Sequence, residues 1–136
     1  MAKRMLSLVV GAAILAAVIP LSITVSAAEM TCRVPFSFVV DGKTLPAGRY
    51  AINTNGNVVL LTGVQKGAIV MTTPADRISD HGRGKLVFLR IGDRYDLVEI
   101  WTSDDLKREV PKVRKQVEER ARAANRSVER IVVPGA

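Results

Sequence analysis

A chain of 136 residues with one cysteine is long enough for one domain with its own hydrophobic core, and it excludes a scaffold held together by internal disulfides. Its net charge of +7 is unevenly distributed. Residues 29–105 carry nine basic and nine acidic side chains, whereas residues 106–136 carry nine basic and four acidic ones, so the basic character belongs to the C-terminal segment and not to the centre of the chain.

The N-terminus has the three parts of a bacterial secretory signal peptide. Lys3 and Arg4 form a basic start, and an apolar run extends from residue 5 to about residue 25. The sequence Ser-Ala-Ala at 26–28 then supplies the small residues that a signal peptidase requires. We therefore expect residues 1–28 to be removed and the mature protein, beginning at Glu29, to be exported to the periplasm or the cell exterior.

An uncleaved anchor is the alternative interpretation of the same apolar run. About 20 apolar residues can span a bilayer, and this run is about that long. Pro20 favours cleavage, because it disrupts a helix near the end of the run, where the peptidase requires extended chain. If residues 5–25 were retained, the chain would be a membrane-anchored fibre or pilus-like subunit.

Alternating apolar residues predict a mainly β domain over residues 29–105. The period-two stretches lie at 33–40, 49–53, 57–62, 68–72, 85–91 and 94–102. Turn sequences join several of them: Asp41-Gly42, Asn55-Gly56 as a type I′ turn, and Gly92-Asp93 as a type II′ turn. About six strands joined in this way predict an antiparallel β-sandwich or a small barrel.

The aromatic residues all lie between positions 36 and 101, which places the predicted core there. We expect eight side chains to be mostly buried: Phe36, Phe38, Tyr50, Ile52, Leu60, Phe88, Leu97 and Trp101. The strand at 94–102 has apolar residues on both faces, so we expect it to be covered on both sides. The alternative for Phe36, Phe38, Tyr50 and Trp101 is that they line a pocket for a sugar or a lipid.

Residues 106–136 are predicted to form a basic helical tail. Val113, Val117, Ala121, Ala124 and Val128 recur at the spacing of one helix face, and we expect a helix from Pro111 to about Ala124. Residues 131–133 form either one last short strand or a disordered end. We expect the tail to be a separable element that contacts an anionic envelope component or a protein partner; the alternative is a helix that caps one end of the β-domain. The candidate contact residues are Lys107, Arg108, Lys112, Arg114, Lys115, Arg120, Arg122, Arg126 and Arg130.

The segment 34–50 resembles a group of small exported bacterial proteins of unknown function with the pattern VPFxFxVGxKxLPAGxY. The pattern is carried here by VPFSFVV at 34–40 and GKTLPAGRY at 42–50, and the similarity continues at KLVF (85–88), at GDRY (92–95) and at Trp101. The chain departs from the pattern at Asp41, where a glycine is usual; aspartate tolerates a positive φ better than most residues. The resemblance implies export and a β-fold, and it implies no site.

The loop at 73–84 holds the one histidine of the chain. His81 lies beside Asp76 and Asp80, an arrangement typical of a metal site or of a His–Asp pair. A zinc site needs three or four ligands, and no nucleophile elbow GxSxG surrounds a serine. We therefore expect no catalytic, cofactor-binding or metal-binding residue and no cofactor; the alternative is an exported hydrolase or metal-dependent enzyme centred on His81.

Cys32 cannot pair within the chain. We expect a free thiol or a partly buried small side chain, and the alternative is an intermolecular disulfide that links two copies. With export, the hairpin-rich centre and the segregated charge, these features favour a non-enzymatic binding or structural module of the bacterial envelope. For an exported protein, the anionic partner is not expected to be a nucleic acid.

Overall fold

The protein is described here by a computed structural model, which covers residues 30–78, 84–102 and 106–135. Within these residues the chain is mainly β, as predicted, with two sheets and one helix. In chain order the elements are β1 (Met30–Val34), β2 (Phe38–Val40), β3 (Lys43–Leu45), β4 (Gly48–Asn55), β5 (Val58–Thr62), β6 (Gly67–Met71), β7 (Asp76–Arg77), β8 (Lys85–Ile91), β9 (Arg94–Thr102), β10 (Leu106–Glu109), α1 (Val113–Ala124) and β11 (Glu129–Pro134). The predicted signal peptide and His81 lie outside the described residues.

The first sheet has four antiparallel strands in the order β1-β4-β5-β6. The second has seven strands and is mixed: β11-β8-β9-β10-β7 form its main path, and β2 pairs with β3 and also runs parallel to β9. The described strands form two open sheets and no closed barrel, so the barrel alternative is wrong. The prediction of six strands was also too low, because β3, β7 and β10 have at most four residues each and show too little alternation to be recognised.

Pro35 explains why the stretch at 33–40 is two strands. Residues 35–37 separate β1, which belongs to the first sheet, from β2, which belongs to the second. A proline lacks the N–H that a ladder requires, and it favours the end of a strand. The chain thus passes from one sheet to the other at this proline.

The predicted two-residue turns are confirmed at two of three places. Asp41 and Gly42 have φ 48° and 80°, the two positive values of a type I′ turn. Gly92 occupies the first position of the β8–β9 turn with φ 58°, as a type II′ turn requires. The β4–β5 turn differs from the prediction by one residue. Asn55 still pairs with Val58, so Gly56 and Asn57 form the turn, and a positive φ at Gly56 alone is typical of type II′.

Side chains of both sheets form one hydrophobic core. Phe38 of the second sheet contacts Tyr50 of the first edge to face, with ring centroids 5.2 Å apart, and Phe38 also contacts Phe88 at 5.3 Å. Five of the eight predicted core residues are buried: Phe38, Tyr50, Ile52, Phe88 and Leu97. Phe36 and Trp101 are half-buried against this core. The prediction that Leu60 is buried is wrong. Its neighbours Val59 and Leu61 face the core, which places Leu60 on the outer face of the sheet.

Strand β9 is covered on both sides, as predicted, and it contains a β-bulge. Phe88 pairs with Leu97 and Val87 pairs with Glu99, so Val98 is an extra residue on β9. An extra residue reverses the alternation of side chains beyond it. Asp96 and Glu99 therefore lie on the same face of the sheet, although their odd spacing would place them on opposite faces of a regular strand.

The predicted helix is confirmed at Val113–Ala124, with Val113, Val117 and Ala121 buried. Ala124 is exposed and Val128 is half-buried, so the apolar face is one turn shorter than predicted. The helix packs on β8 and β9.

The arrangement around the helix differs from a β-domain followed by a helical tail. Strand β10 precedes α1 and pairs with β9, and β11 follows it and pairs with β8 over six residues. Both strands of the tail are thus part of the second sheet. The sequence shows little sign of this, because β10 reads LKRE and β11 begins with two charged residues.

Candidate functional site

Three of the nine candidate cations of the C-terminal segment are engaged by groups of the fold itself, and one of the three is buried. Arg108, on β10, is only 5% exposed. Its Nε donates to the carbonyl oxygen of Gly56 at 3.3 Å, and its Nη1 donates to Oγ1 of Thr102 at 3.1 Å. Because Gly56 belongs to the β4–β5 turn, this guanidinium links the two sheets. Little of this side chain is accessible to a partner.

Arg114 attaches the first turn of the helix to the sheet beneath it. Its Nη2 lies 2.8 Å from Oε2 of Glu99, and its Nε lies 3.1 Å from Oε1 of Glu109. Trp101 donates from Nε1 to the other carboxylate oxygen of Glu99 at 2.8 Å. Burial by itself raises the pKa of Glu99. The hydrogen bonds from Trp101 and Arg114, together with the positive charges of Lys107 and Arg114, outweigh burial and hold that pKa below its ordinary value.

Arg120 makes the corresponding contact two turns further along the helix. Its Nη1 lies 3.4 Å from Oδ2 of Asp96, a buried carboxylate that also accepts from Nε of Arg94 at 3.1 Å. The β-bulge in β9 places Asp96 and Glu99 on this one face, so the two carboxylates meet two arginines of the helix. Some of the positive charges that are concentrated in the tail are therefore paired, within the fold, with the carboxylates of β9.

The other six candidate cations are more accessible. Lys107 is half-buried, and the remaining five are exposed: Lys112, Lys115, Arg122, Arg126 and Arg130. Arg126 lies against the β8–β9 turn at Gly92, where a shallow cleft of about 340 Å³ is also lined by Arg90 and Ser127. Arg130, on β11, is paired with Leu89 of β8. The accessible cations therefore lie along the helix, beside the cleft at its C-terminus and on the last strand.

A second candidate surface is the outer face of the first sheet, which we call the apolar stripe: Val58, Leu60, Ile69 and Met71. Leu60 pairs directly with Ile69, and Val58 pairs with Met71 across β5 and β6. Leu60 is 41% exposed, Ile69 69% and Met71 61%, whereas Val58 is half-buried. A shallow groove of about 440 Å³ runs beside the stripe and is also lined by Asn53, Thr54 and Asn55.

The sequence carries one local signal for the apolar stripe. Residues 68–71 are apolar without interruption, and such a run is typical of a strand that is covered on both faces. In the structure Ala68 and Val70 face the core, while Ile69 and Met71 face outward. The packing thus covers one face of this strand and leaves the other exposed.

The remaining sequence candidates do not form a reactive centre within the described residues. Asp76 is exposed on β7, and no group of three or more His, Cys, Asp or Glu side chains in residues 30–78, 84–102 and 106–135 could hold a metal ion. Cys32 is buried in the core, and burial raises its pKa to about 11. A thiol in that position is inert, which counts against a disulfide-linked dimer through Cys32.

The aromatic residues proposed as a pocket mostly contact one another. Phe36 stacks on Tyr95 with centroids 3.8 Å apart, and the hydroxyl of the buried Tyr50 donates to the carbonyl oxygen of Pro46 at 2.5 Å. Trp101 lies on the other side of the second sheet, with the ammonium of Lys85 3.9 Å from its ring centroid. These side chains therefore do not converge on one ligand site.

In the part of the chain that the structure describes, no helix is long and apolar enough to cross a membrane. No family model, no curated protein and no solved structure matches the chain.

Proposed function

We propose that this protein is an exported, non-enzymatic binding module of the bacterial envelope, a β-sandwich that binds its partner through the apolar stripe on its first sheet. The observation that carries the proposal is the pairing of Leu60 with Ile69, two large apolar side chains that are both exposed on neighbouring strands. Soluble proteins seldom expose contiguous apolar surface without a use for it.

The position of the stripe supports the same proposal. It lies on a sheet face whose opposite side is anchored in the core by Val59, Leu61 and Val70, each fully buried. A surface held by a packed sheet keeps its shape when a partner binds, so little ordering cost opposes association.

The test compares retention of the protein by isolated envelope fractions. Leu60→Thr combined with Ile69→Thr removes the apolar contact and keeps residues that are compatible with a strand. We expect at least a tenfold loss of retention. Val64→Thr is the matched control, since Val64 is 96% exposed in the β5–β6 link and lies outside the stripe. Equal retention of both variants and the original chain would contradict the proposal.

A second candidate is binding of an anionic envelope component through the exposed cations of the C-terminal segment. The exposure of Lys115 and Arg122 two turns apart on α1 favours it. Replacing both by glutamate should abolish binding to heparin or to anionic vesicles at low salt if this surface is used. Arg108→Gln is not a suitable variant, because it leaves a buried hydrogen-bond network incomplete.

A further inference from the structure

Strand β6 has backbone groups that face away from its sheet. It is the last strand of the first sheet, and among the described residues it pairs with β5 alone. The amide of Thr72 donates to the carbonyl oxygen of Asn57 at 2.7 Å, and the amide of Gly63 donates to the carbonyl oxygen of Lys66 at 3.0 Å. These two bonds lie at the two ends of the β5–β6 ladder. Because hydrogen-bonded and non-hydrogen-bonded pairs alternate along an antiparallel ladder, they show which residues of β6 are bonded to β5.

This alternation identifies the residues of β6 whose backbone groups point away from β5. Counting along the register, Ala68 and Val70 are hydrogen-bonded to β5. Gly67, Ile69 and Met71 therefore direct their N–H and C=O groups outward. The side chains of Ile69 and Met71 also lie on the outer face, so the free backbone groups and the apolar stripe belong to the same residues.

We propose that β6 pairs antiparallel with β6 of a second copy of this chain, which joins the two first sheets into one sheet of eight strands. The inference rests on the proposed function: the pairing leaves the apolar stripe exposed and joins the stripes of the two copies into one larger surface for the partner. The two-fold axis passes beside Ile69, so Ile69 of each copy faces Ile69 of the other, and Gly67 faces Met71. All three pairs then use the outward-facing backbone groups and no others.

The register is self-complementary in its side chains as well. A two-fold axis perpendicular to the sheet keeps both outer faces on the same side, and it produces a continuous row of Leu60, Ile69 and their two symmetry equivalents. The larger Met71 then faces Gly67, which has no side chain to oppose it. No charged residue lies between Gly67 and Ala75, so β6 itself brings no charge into the pairing, although the whole chain carries +7. The one ammonium at the edge, that of Lys43, lies at the end of the ladder on the carbonyl oxygen of Gly67, which has a second lone pair for the amide of Met71.

Two features limit the assembly to a weak, closed dimer. The ammonium of Lys43 donates to the carbonyl oxygen of Gly67 at 2.7 Å, so a charge marks the end of the free edge. The other end of the sheet is engaged: Cys32 of β1 forms a bridge with Gly135. Among the described residues, the first sheet of each copy thus offers one edge that is unpaired along its length, which gives a pair rather than a fibre. Five residues of edge and the contact between the two Ile69 side chains form a small interface, so we expect a dissociation constant in the range of about 1–100 μM.

Cross-linking tests the register directly. Ile69→Cys places two thiols opposite one another across the axis, and a short bis-maleimide should convert most of the protein to a covalent dimer at about 100 μM. Val64→Cys is the control, because Val64 is more exposed than Ile69 but lies off the axis, and the original chain should not react through its buried Cys32. Equal cross-linking of the Ile69→Cys and Val64→Cys variants would reflect random collision and overturn the register.

Sedimentation equilibrium of the full chain, as the cell processes it, tests the dimer itself. Ile69→Lys places two ammonium groups face to face and should raise the dissociation constant at least tenfold, while Val64→Lys changes it less than twofold. Unchanged thermal unfolding of both variants shows that folding is intact. A monomer at every concentration overturns the inference. In that case loss of envelope retention by Ile69→Lys would leave the proposed function in place for a monomer, and normal retention would refute both.

Discussion

Glu99 and Arg114 join the sheet to the helix across 2.8 Å, and the bulge at Val98 is what turns Glu99 toward that helix. The carboxylate also accepts from Trp101, so both of its oxygens are used. A tail that follows the β-domain in the sequence is in this way fastened to the middle of the second sheet.

The ionised form of Glu99 is favoured by folding, which predicts acid sensitivity. Its pKa in the folded chain lies below the ordinary value of 4.5. The associated stabilisation is therefore complete above that value and is lost as the pH falls through the lower, folded pKa. We expect the free energy of unfolding, measured in urea, to begin to fall as the pH drops below the ordinary value of 4.5 and to keep falling until the pH is below the lower, folded pKa. Glu99→Gln should lose about 1–2 kcal/mol at pH 7 and show a shallower fall in acid.

Glu118→Gln is the control for this experiment, because Glu118 is exposed on the outer side of the helix. It should follow the original chain at every pH. If the Glu99→Gln curve kept the full acid slope, the ion pair with Arg114 would not be the source of the sensitivity.

Phe38 joins the two sheets, so its truncation should be severe. The ring is 1% exposed and contacts Tyr50 and Phe88 edge to face. Phe38→Ala should cost about 3–5 kcal/mol in the free energy of unfolding. Phe36→Ala serves for comparison. Because Phe36 is only half-buried, this substitution should cost less free energy of unfolding than Phe38→Ala. A Phe38→Ala loss no greater than that of Phe36→Ala would show that Phe38 is not central to the packing.

Deletion of residues 106–136 should prevent folding. It removes β10 and β11 from the second sheet, and with them the buried side chains of Val110, Val117 and Val133. We expect loss of the near-ultraviolet circular dichroism signal and of cooperative unfolding. A truncated chain that unfolds cooperatively would show that residues 29–105 form an independent domain and that the tail is separable.

Processing of the N-terminus is tested by intact mass. The basic start, the apolar run with Pro20 and the small residues at 26–28 predict a mature chain that begins at Glu29. Ala28→Arg should block cleavage, because a large charged residue does not fit a signal peptidase at this position. A full-length, membrane-held product of the original sequence would instead support the anchored subunit.

The sequence by itself determined the β content, the two hairpin turns at Asp41-Gly42 and Gly92-Asp93, the strands β8 and β9 with their bounds, and the buried face of the helix. Each of these is local: a period of two or of 3.6 residues, or a backbone conformation that glycine and aspartate tolerate, is written in a few neighbouring residues.

The tertiary structure decided which residues meet across the chain. Strand β11 begins with Glu129 and Arg130, and its place beside β8 depends on pairing over about 40 residues, which no local pattern encodes. The bulge at Val98 similarly depends on the partner strand, and it selects which carboxylates receive Arg114 and Arg120. The exposure of Ile69 was decided in the same way, because an apolar run shows that two faces can be buried, whereas only the packing of the sheets determines that one of them remains open.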